Sequence, residues 1–263
     1  MMKIQILNNR NILSVSGKDK ATFLQGLITN DINKLENGKM LYSLMLNPQG
    51  RFLYDFFIKS HEDKILIDHE ANFTKEIITK LNLYKLRSDV HIEDYSGKYK
   101  IISTNKSLDE RSCKDPRDDR LGFRSYVSDV DNIGEISSRY DELIYEYTIP
   151  EPHKDMVRER SFPLEFGLDE FNAISFDKGC YMGQENTART KHRGTVRKKL
   201  VKFLSAEEIS GLEIGEEIFS NDKKVGNFCS SLGKVGKVLI RIAEYEAHGK
   251  MELEVSGYKI KII

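Results

Sequence analysis

The sequence changes character at about residue 198, and few folds accommodate both textures. Beyond Lys199 the chain is a succession of short strand-like segments, VKFL, EEIF, KVGNFCSS, KVGKVLIRI, KMELEV and YKIKII, several of them separated by glycine-bearing turns. They recur at a spacing of about ten residues, the pattern of a small antiparallel barrel. Before the break, strand-like and helix-like segments are interleaved. This predicts an α+β chain in two parts, residues 1–198 and a C-terminal antiparallel β-barrel over 199–263.

Within the first part, Ile4, Ile6, Ile12, Leu13 and Val15 suggest a hairpin. Phe23, Leu24, Leu27 and Ile28 then share one helical face, with Ser16 as the expected cap. MLYSLML (40–46) and FLYDFFI (52–58) read as strands joined at Asn47-Pro48-Gln49-Gly50, and KILID (64–68) as another. Phe73, Ile77, Ile78, Leu81 and Tyr84 share a helical face within 72–87. Strands follow at 90–95 and 98–103 across a Ser96-Gly97 turn. Residues 104–119 form a polar loop, GFRSYV a strand and 132–146 a helix.

Composition narrows the function classes. The 263 residues carry 41 Lys and Arg against 41 Asp and Glu. A formal charge of zero argues against a chain that coats nucleic acid or an anionic membrane. There is no Trp, so any aromatic platform falls to Tyr or Phe. No apolar run approaches the roughly 20 residues that span a bilayer. Cys113, Cys180 and Cys229 are too few and scattered for a disulfide framework or a zinc knuckle, so a functional cysteine would act as a free thiol. With no export signal evident, these features predict a soluble, cytoplasmic protein without a membrane partner.

The neutral total hides a segregation. Residues 141–185 hold eleven acids and four Lys/Arg; residues 186–202 hold seven Lys/Arg and no acid. In the acidic stretch Glu146 lies between Tyr145 and Tyr147, with Tyr140 earlier on the same expected helix. A carboxylate can accept two hydrogen bonds from the paired N–H donors of a pterin-like edge, and a tyrosine can stack on such a ring. The plainer alternative is a solvated glutamate at a helix end. The basic stretch is either a solvated connector or a receiver for a polyanionic cofactor tail or an acidic partner. At the junction, Ser175-Phe176-Asp177-Lys178-Gly179-Cys180-Tyr181-Met182-Gly183-Gln184-Glu185 sets a cysteine between two glycines with a lysine nearby. Glycines permit tight turns and close ligand approach, and neighbouring cations suit a thiolate. The alternative is a buried, inert thiol. Asp55 is the only acid in FLYDFFI, either buried and functional or on an exposed sheet face. Asn30-Asp31 after the first helix is a cap-like pair.

Further motifs run through the chain in order: Ser16-Gly17-Lys18-Asp19, Phe23-Leu24-Gln25-Gly26-Leu27, Thr29-Asn30-Asp31, Asn47-Pro48-Gln49-Gly50-Arg51 and Leu86-Arg87-Ser88-Asp89-Val90. Asp115-Pro116-Arg117, Ile149-Pro150-Glu151, Pro163-Leu164-Glu165 and Lys178 to Glu185 follow. With these motifs, the chain resembles the YgfZ family of folate-binding proteins, relatives of the glycine cleavage system T-protein (aminomethyltransferase). The continuation Thr187-Ala188-Arg189-Thr190 through Val196-Arg197-Lys198-Lys199-Leu200 is similar to the mitochondrial branch that serves late iron–sulfur assembly.

The resemblance implies a T-protein-like folate-binding fold with a central cavity ahead of the barrel. It implies tetrahydrofolate or a polyglutamylated folate as ligand, and iron–sulfur client or assembly proteins as partners. The implied role is maturation or repair of [4Fe–4S] proteins, with no permanently bound cluster. Cys180 matches the family's hallmark cysteine, and Lys178 and Asp55 join it as candidate catalytic residues. Glu146, Tyr140, Asn30, Asp31, Arg51, Glu165 and Gln184 are the candidate folate-binding residues. Glu146 matches the T-protein's pterin-binding glutamate, although the flanking Arg and Gly differ. The T-protein has paired aspartates, one of them catalytic, where this chain reads Tyr54-Asp55. Folate-dependent aminomethyl transfer is therefore the alternative reading, and an acidic-partner or nucleic-acid binding module over 189–202 the third.

Overall fold

The computed structural model describes residues 1–130, 133–194, 196–221, 223–248 and 252–263. In chain order the first part contains β1 (Lys3–Ile6), β2 (Arg10–Ser16), α1 (Lys20–Gln25), β3 (Met40–Leu46), β4 (Phe52–His61), β5 (Lys64–Glu70), α2 (Thr74–Lys85) and β6 (His91–Asp94). It continues with β7 (Lys100–Thr104), β8 (Cys113–Lys114), β9 (Phe123–Val127), β10 (Glu135–Ile136), α3 (Arg139–Glu146), α4 (Pro152–Asp155) and α5 (Gln184–Arg193). The barrel follows as β11 (Lys198–Ser205), β12 (Glu217–Ser220), β13 (Lys223–Leu232), β14 (Val235–Arg241), α6 (Ile242–His248), β15 (Glu252–Val255) and β16 (Tyr258–Ile262).

Two five-stranded sheets carry the first part, ordered β3-β4-β5-β2-β6 and β10-β1-β7-β9-β8. The remaining strands close as β11-β14-β13-β12-β15-β16, the antiparallel barrel expected from the ten-residue spacing. Phe203, Ile218, Val225, Val238 and Ile260 fill its interior. Residue 242 was expected to end a strand, but β14 stops at Arg241 and α6 follows. Residues 250 and 251 of the expected KMELEV strand lie outside the described residues; β15 begins at Glu252.

The expected N-terminal hairpin does not form. β1 pairs with β7 and β10 in the second sheet, while β2 pairs with β5 and β6 in the first. The strands expected across Ser96-Gly97 part in the same way, β6 to β2 and β7 to β1. Alternation identifies strands and leaves their partners open. The chain thus crosses between the sheets twice, and the first crossing brings Asn8, Asn9 and Arg10 to the seam. Two further expectations shift. α1 is flanked by Asp19 rather than Ser16, which ends β2 opposite His91. The helix expected over 132–146 is shorter, Arg139–Glu146, because Glu135 and Ile136 pair with β1; residue 132 lies outside the described residues.

β4 is buried on both faces, which explains its near-continuous apolar run. Tyr54, Phe56 and Ile58 face the core beneath α1 and α2, with Ile77 and Leu81 of α2. Phe57 faces the opposite core, which extends through Tyr181 to Cys229 and Leu239 of the barrel. Asp55 shares Phe57's face by strand alternation, and that face meets the seam between the sheets.

Candidate functional site

A cavity of about 370 Å³ opens at that seam. Its wall draws on segments distant in sequence. Asn9 and Arg10 come from the first crossing, Asp55 and Phe57 from β4, and Arg117 from the loop after β8. Arg124 comes from β9, Tyr140 from α3, and Glu151, His153 and Lys154 from the turn at α4.

Three buried guanidiniums dominate this wall, and each is matched by a carboxylate, as burial requires. Arg10 Nη1 reaches both oxygens of Asp55 at 2.9 and 3.1 Å, and its Nε donates to Asp68 at 2.7 Å. Arg124 Nε donates to the other Asp68 oxygen at 2.6 Å. Arg117 makes two 3.0 Å bonds to Asp115. All three guanidiniums lie over Phe57, at 5.2, 4.9 and 3.9 Å for Arg10, Arg117 and Arg124. Burial opposes charge on Asp68, yet Arg124 and Arg10 hold its carboxyl below the ordinary range. Glu151 is also buried; its ion pair with Lys154 at 2.8 Å, helped by His153 and Lys237, holds it well below the ordinary carboxylate range.

Two side chains of this wall carry an unpartnered buried atom among the described residues, Arg124 Nη2 and His153 Nδ1. Such atoms are rare in folded proteins and call for an explanation.

Of the expected site residues, Asp55 and Tyr140 line this cavity. The Tyr140 hydroxyl accepts from Arg117 and from Arg124 Nη1, and burial pushes its pKa up to about 12. Glu146 does not face the cavity. Tyr140, Ile144 and Tyr145 form the inner face of α3, and Glu146 falls on the exposed face. Asp141 of the same helix and Glu151, five residues beyond Glu146, do reach the cavity wall. Asn30 and Asp31 serve the chain locally. Asn30 Nδ2 donates to Tyr42 O and Asn172 O, both at 2.8 Å, and Asp31 accepts from Gln25 Nε2 at 2.9 Å and Asn33 N at 3.0 Å. Arg51 and Glu165 line a separate depression of about 470 Å³ with Asn186 and Arg189, and Gln184 opens α5 beside them. Arg51 lies over Phe162 and donates to Arg160 O at 2.6 Å; Glu165 is 3.8 Å from Lys198.

Cys180 lies elsewhere, on an exposed loop. Lys178 anchors that loop. Its buried ammonium donates to the carbonyls of Gln25 (2.8 Å), Ile28 (2.7 Å) and Asn30 (2.8 Å), closing the C-terminal end of α1. With all three hydrogens so directed, none is left for the thiol, so Lys178 braces the loop instead of serving as a partner for Cys180. Burial pushes Lys178 down to about 8, with Asp31 acting in the opposite direction. Gly183 seats the loop on the β3–β4 turn. Its φ is +81°, and a Cβ there would lie 2.5 Å from Asn47 O. Cys113 and Cys229 are buried, and burial raises both thiols.

The segregated charge is partly consumed within the chain. Lys191 pairs with Asp169 at 2.7 Å, Lys198 approaches Glu165, and Lys202 donates to Glu146 O at 3.0 Å. Sequence reasoning missed Arg10, Arg117, Arg124, Glu151 and His153. Arg117 and Glu151 had a signal, since both stand in motifs already singled out. Arg124 is the lone charge in FRSYV, as Asp55 is in FLYDFFI.

Comparison with known proteins adds a family. Residues 8–105 match the GCVT N-terminal domain. The chain is 33% identical over 228 aligned positions to "Iron-sulfur cluster assembly factor IBA57 homolog, mitochondrial" of Mycosarcoma maydis, covering 76% of this chain and 56% of that protein. It is 31% identical over 270 aligned positions to "Iron-sulfur cluster assembly factor IBA57, mitochondrial" of Homo sapiens, covering 89% of this chain and 76% of that protein. The chain spans little more than half of the Mycosarcoma maydis protein and of the Neurospora crassa relative, 56% and 55%. The crystal structure of glycine cleavage system aminomethyltransferase T from Bartonella henselae superposes with a TM-score of 0.75 over 99% of this chain and 84% of that one, at 15% identity, which shows the shared fold. The relatives are named as mitochondrial, which overturns the cytoplasmic expectation. Cysteine usage separates oxidising from reducing compartments and does not distinguish one reducing compartment from another. With 31% identity to the human protein and 76% of that protein's length covered, the chain belongs to the GCVT-domain family that includes the IBA57 iron–sulfur cluster assembly factors.

Proposed function

We propose that this protein is a tetrahydrofolate-binding factor for the maturation or repair of [4Fe–4S] proteins, with Cys180 as its functional thiol. One observation carries the reading: a chain 31% identical to a human iron–sulfur cluster assembly factor presents Cys180 to solvent and buries its other two thiols. In this reading residues 1–198 form the ligand-binding part and residues 199–263 the barrel packed against it.

The cavity residues fit a pterin ring, which has hydrogen-bond donors on one edge and acceptors on another. Arg124 Nη2 is a buried donor without a partner, and the carboxylates of Asp55 and Glu151 can accept. A volume of about 370 Å³ falls within the roughly 300–1,000 Å³ usual for small-molecule sites. Asp55, Glu151, Arg124 and Tyr140 would hold the ring. Tetrahydrofolate supplies nucleophilic nitrogens and a reducing ring when bound.

Aminomethyl transfer has less support, because this chain reads Tyr54-Asp55 where the T-protein has paired aspartates. Binding of nucleic acid through 189–202 has least, because several of those cations have partners inside the chain. The test is restoration of a [4Fe–4S] enzyme in an extract depleted of its own assembly factor. The wild-type protein should restore activity, and titration should show tetrahydrofolate binding. Failure to restore overturns the maturation role; absence of binding overturns the folate assignment.

A further inference from the structure

Resting on the cavity assignment above, we propose that His153 is a ligand-contacting hydrogen-bond donor that acts with Arg124, so that this wall receives the acceptor edge of the ligand. His153 lies on α4 and lines the cavity. Its Nε2 is 3.1 Å from Asn9 Nδ2. The same amide donates to Glu70 Oε2 at 3.1 Å, and a carboxylate only accepts, so the amide presents its NH₂ on this side. An NH₂ group only donates, so His153 Nε2 accepts. The proton of the neutral ring is therefore on Nδ1, the atom left buried without a partner among the described residues. Arg124 repeats the pattern. Its Nε bonds Asp68, its Nη1 bonds Tyr140, and its Nη2 has no partner among the described residues.

Two residues of one cavity wall thus each keep a buried N–H donor without a partner among the described residues, which opposes folding, and a ligand whose acceptor atoms reached them would satisfy both. The turn that carries His153 is held firmly. Asp155, fully buried, accepts from Glu151 N at 2.7 Å, from Ser230 Oγ of the barrel at 2.5 Å and from Lys237 Nζ of the barrel at 2.5 Å. On the other side of the ring, Glu70 Oε2 lies 4.0 Å from Nε2. The charged groups that interact with the ring are Glu70 from β5 and Glu151 from its own turn, and Arg10, Asp55, Arg117, Arg124, Asp141 and Lys154 line the same cavity.

The experiment combines ¹⁵N NMR of histidine-labelled protein with calorimetric titration by tetrahydrofolate. His153→Leu identifies the His153 signal by its loss. The wild type should show the Nδ1–H tautomer, and tetrahydrofolate should shift that signal. His153→Leu should weaken binding by about tenfold, the equivalent of one good hydrogen bond. It should also leave the melting temperature of the free protein no lower, because removal of the unpartnered Nδ1 offsets the lost bond from Asn9, whose amide keeps Glu70. An Nε2–H tautomer, unchanged affinity in His153→Leu, or a lowered melting temperature with unchanged affinity overturns the donor role. If the wild type shows the Nδ1–H tautomer and His153→Leu is no less stable, yet the wild type does not bind tetrahydrofolate, the folate assignment fails and the donor stands.

Discussion

The cavity and the Cys180 loop are built in opposite ways. The cavity gathers charged side chains from at least six segments and buries them in mutual contact. Asp68, fully buried, bridges Arg10 and Arg124. The Cys180 loop is one contiguous segment, braced by a single lysine against backbone carbonyls and by Gly183 against a neighbouring turn. The first arrangement makes a preorganised polar chamber whose parts cannot be removed singly. The second leaves a thiol in solvent on a supported loop. Under the proposed function, ligand binding and thiol chemistry would therefore be damaged separately.

Asp68→Asn tests the cavity half most severely. Weakening one partner of a buried ionic network leaves charges uncompensated, and the expected loss is about 3–5 kcal/mol by chemical denaturation. A loss below about 1 kcal/mol would show that the network does not hold the seam. Lys178→Met tests the loop half. Three carbonyls lose their donor, and a loss of about 1–3 kcal/mol is expected. Lys178 also gives the loop a pH signature. Its folded value is about 8 and the unfolded value about 10.4, so between them the unfolded chain binds more protons and wild-type stability rises with pH. Lys178→Met should lack that rise; an identical alkaline profile in both proteins would contradict the burial of this amine.

The acid side distinguishes the regions again. Asp68 and Glu151 are held below their ordinary values, so their stabilisation is present above the unfolded carboxylate range of about 4 and is lost as pH falls through the lower folded values. Asp68→Asn should flatten part of that acid loss. Cys180→Ser should change stability by no more than about 0.5 kcal/mol, as befits an exposed side chain. In the folded wild type, Cys180 should react with a thiol reagent while Cys113 and Cys229 react only on unfolding. The smallest effect belongs to Glu146→Ala, which should leave both stability and tetrahydrofolate affinity unchanged.

The same contrast explains what could be read in advance. The loop was legible because its chemistry is contiguous: Lys178 to Glu185 is one stretch. The barrel was legible from its turn spacing, and α2 from one helical face. The cavity was only half legible. Asp55 stood out as a lone acid in an apolar strand, but its partner Arg10 is 45 residues away and lies where the chain crosses between sheets. The expected hairpin hid that crossing. Glu146 drew attention through its tyrosine neighbours, whereas helix phase turns it outward and sets Tyr140 and Tyr145 inward. Lys178 was read beside Cys180 in sequence, but its side chain turns into the fold.

The most direct test compares Cys180→Ser with the wild type in two assays on the same preparations, tetrahydrofolate affinity and restoration of a [4Fe–4S] enzyme in a depleted extract. Separate construction of cavity and thiol predicts wild-type affinity with lost restoration. Full restoration by Cys180→Ser, or loss of both properties together, would contradict it.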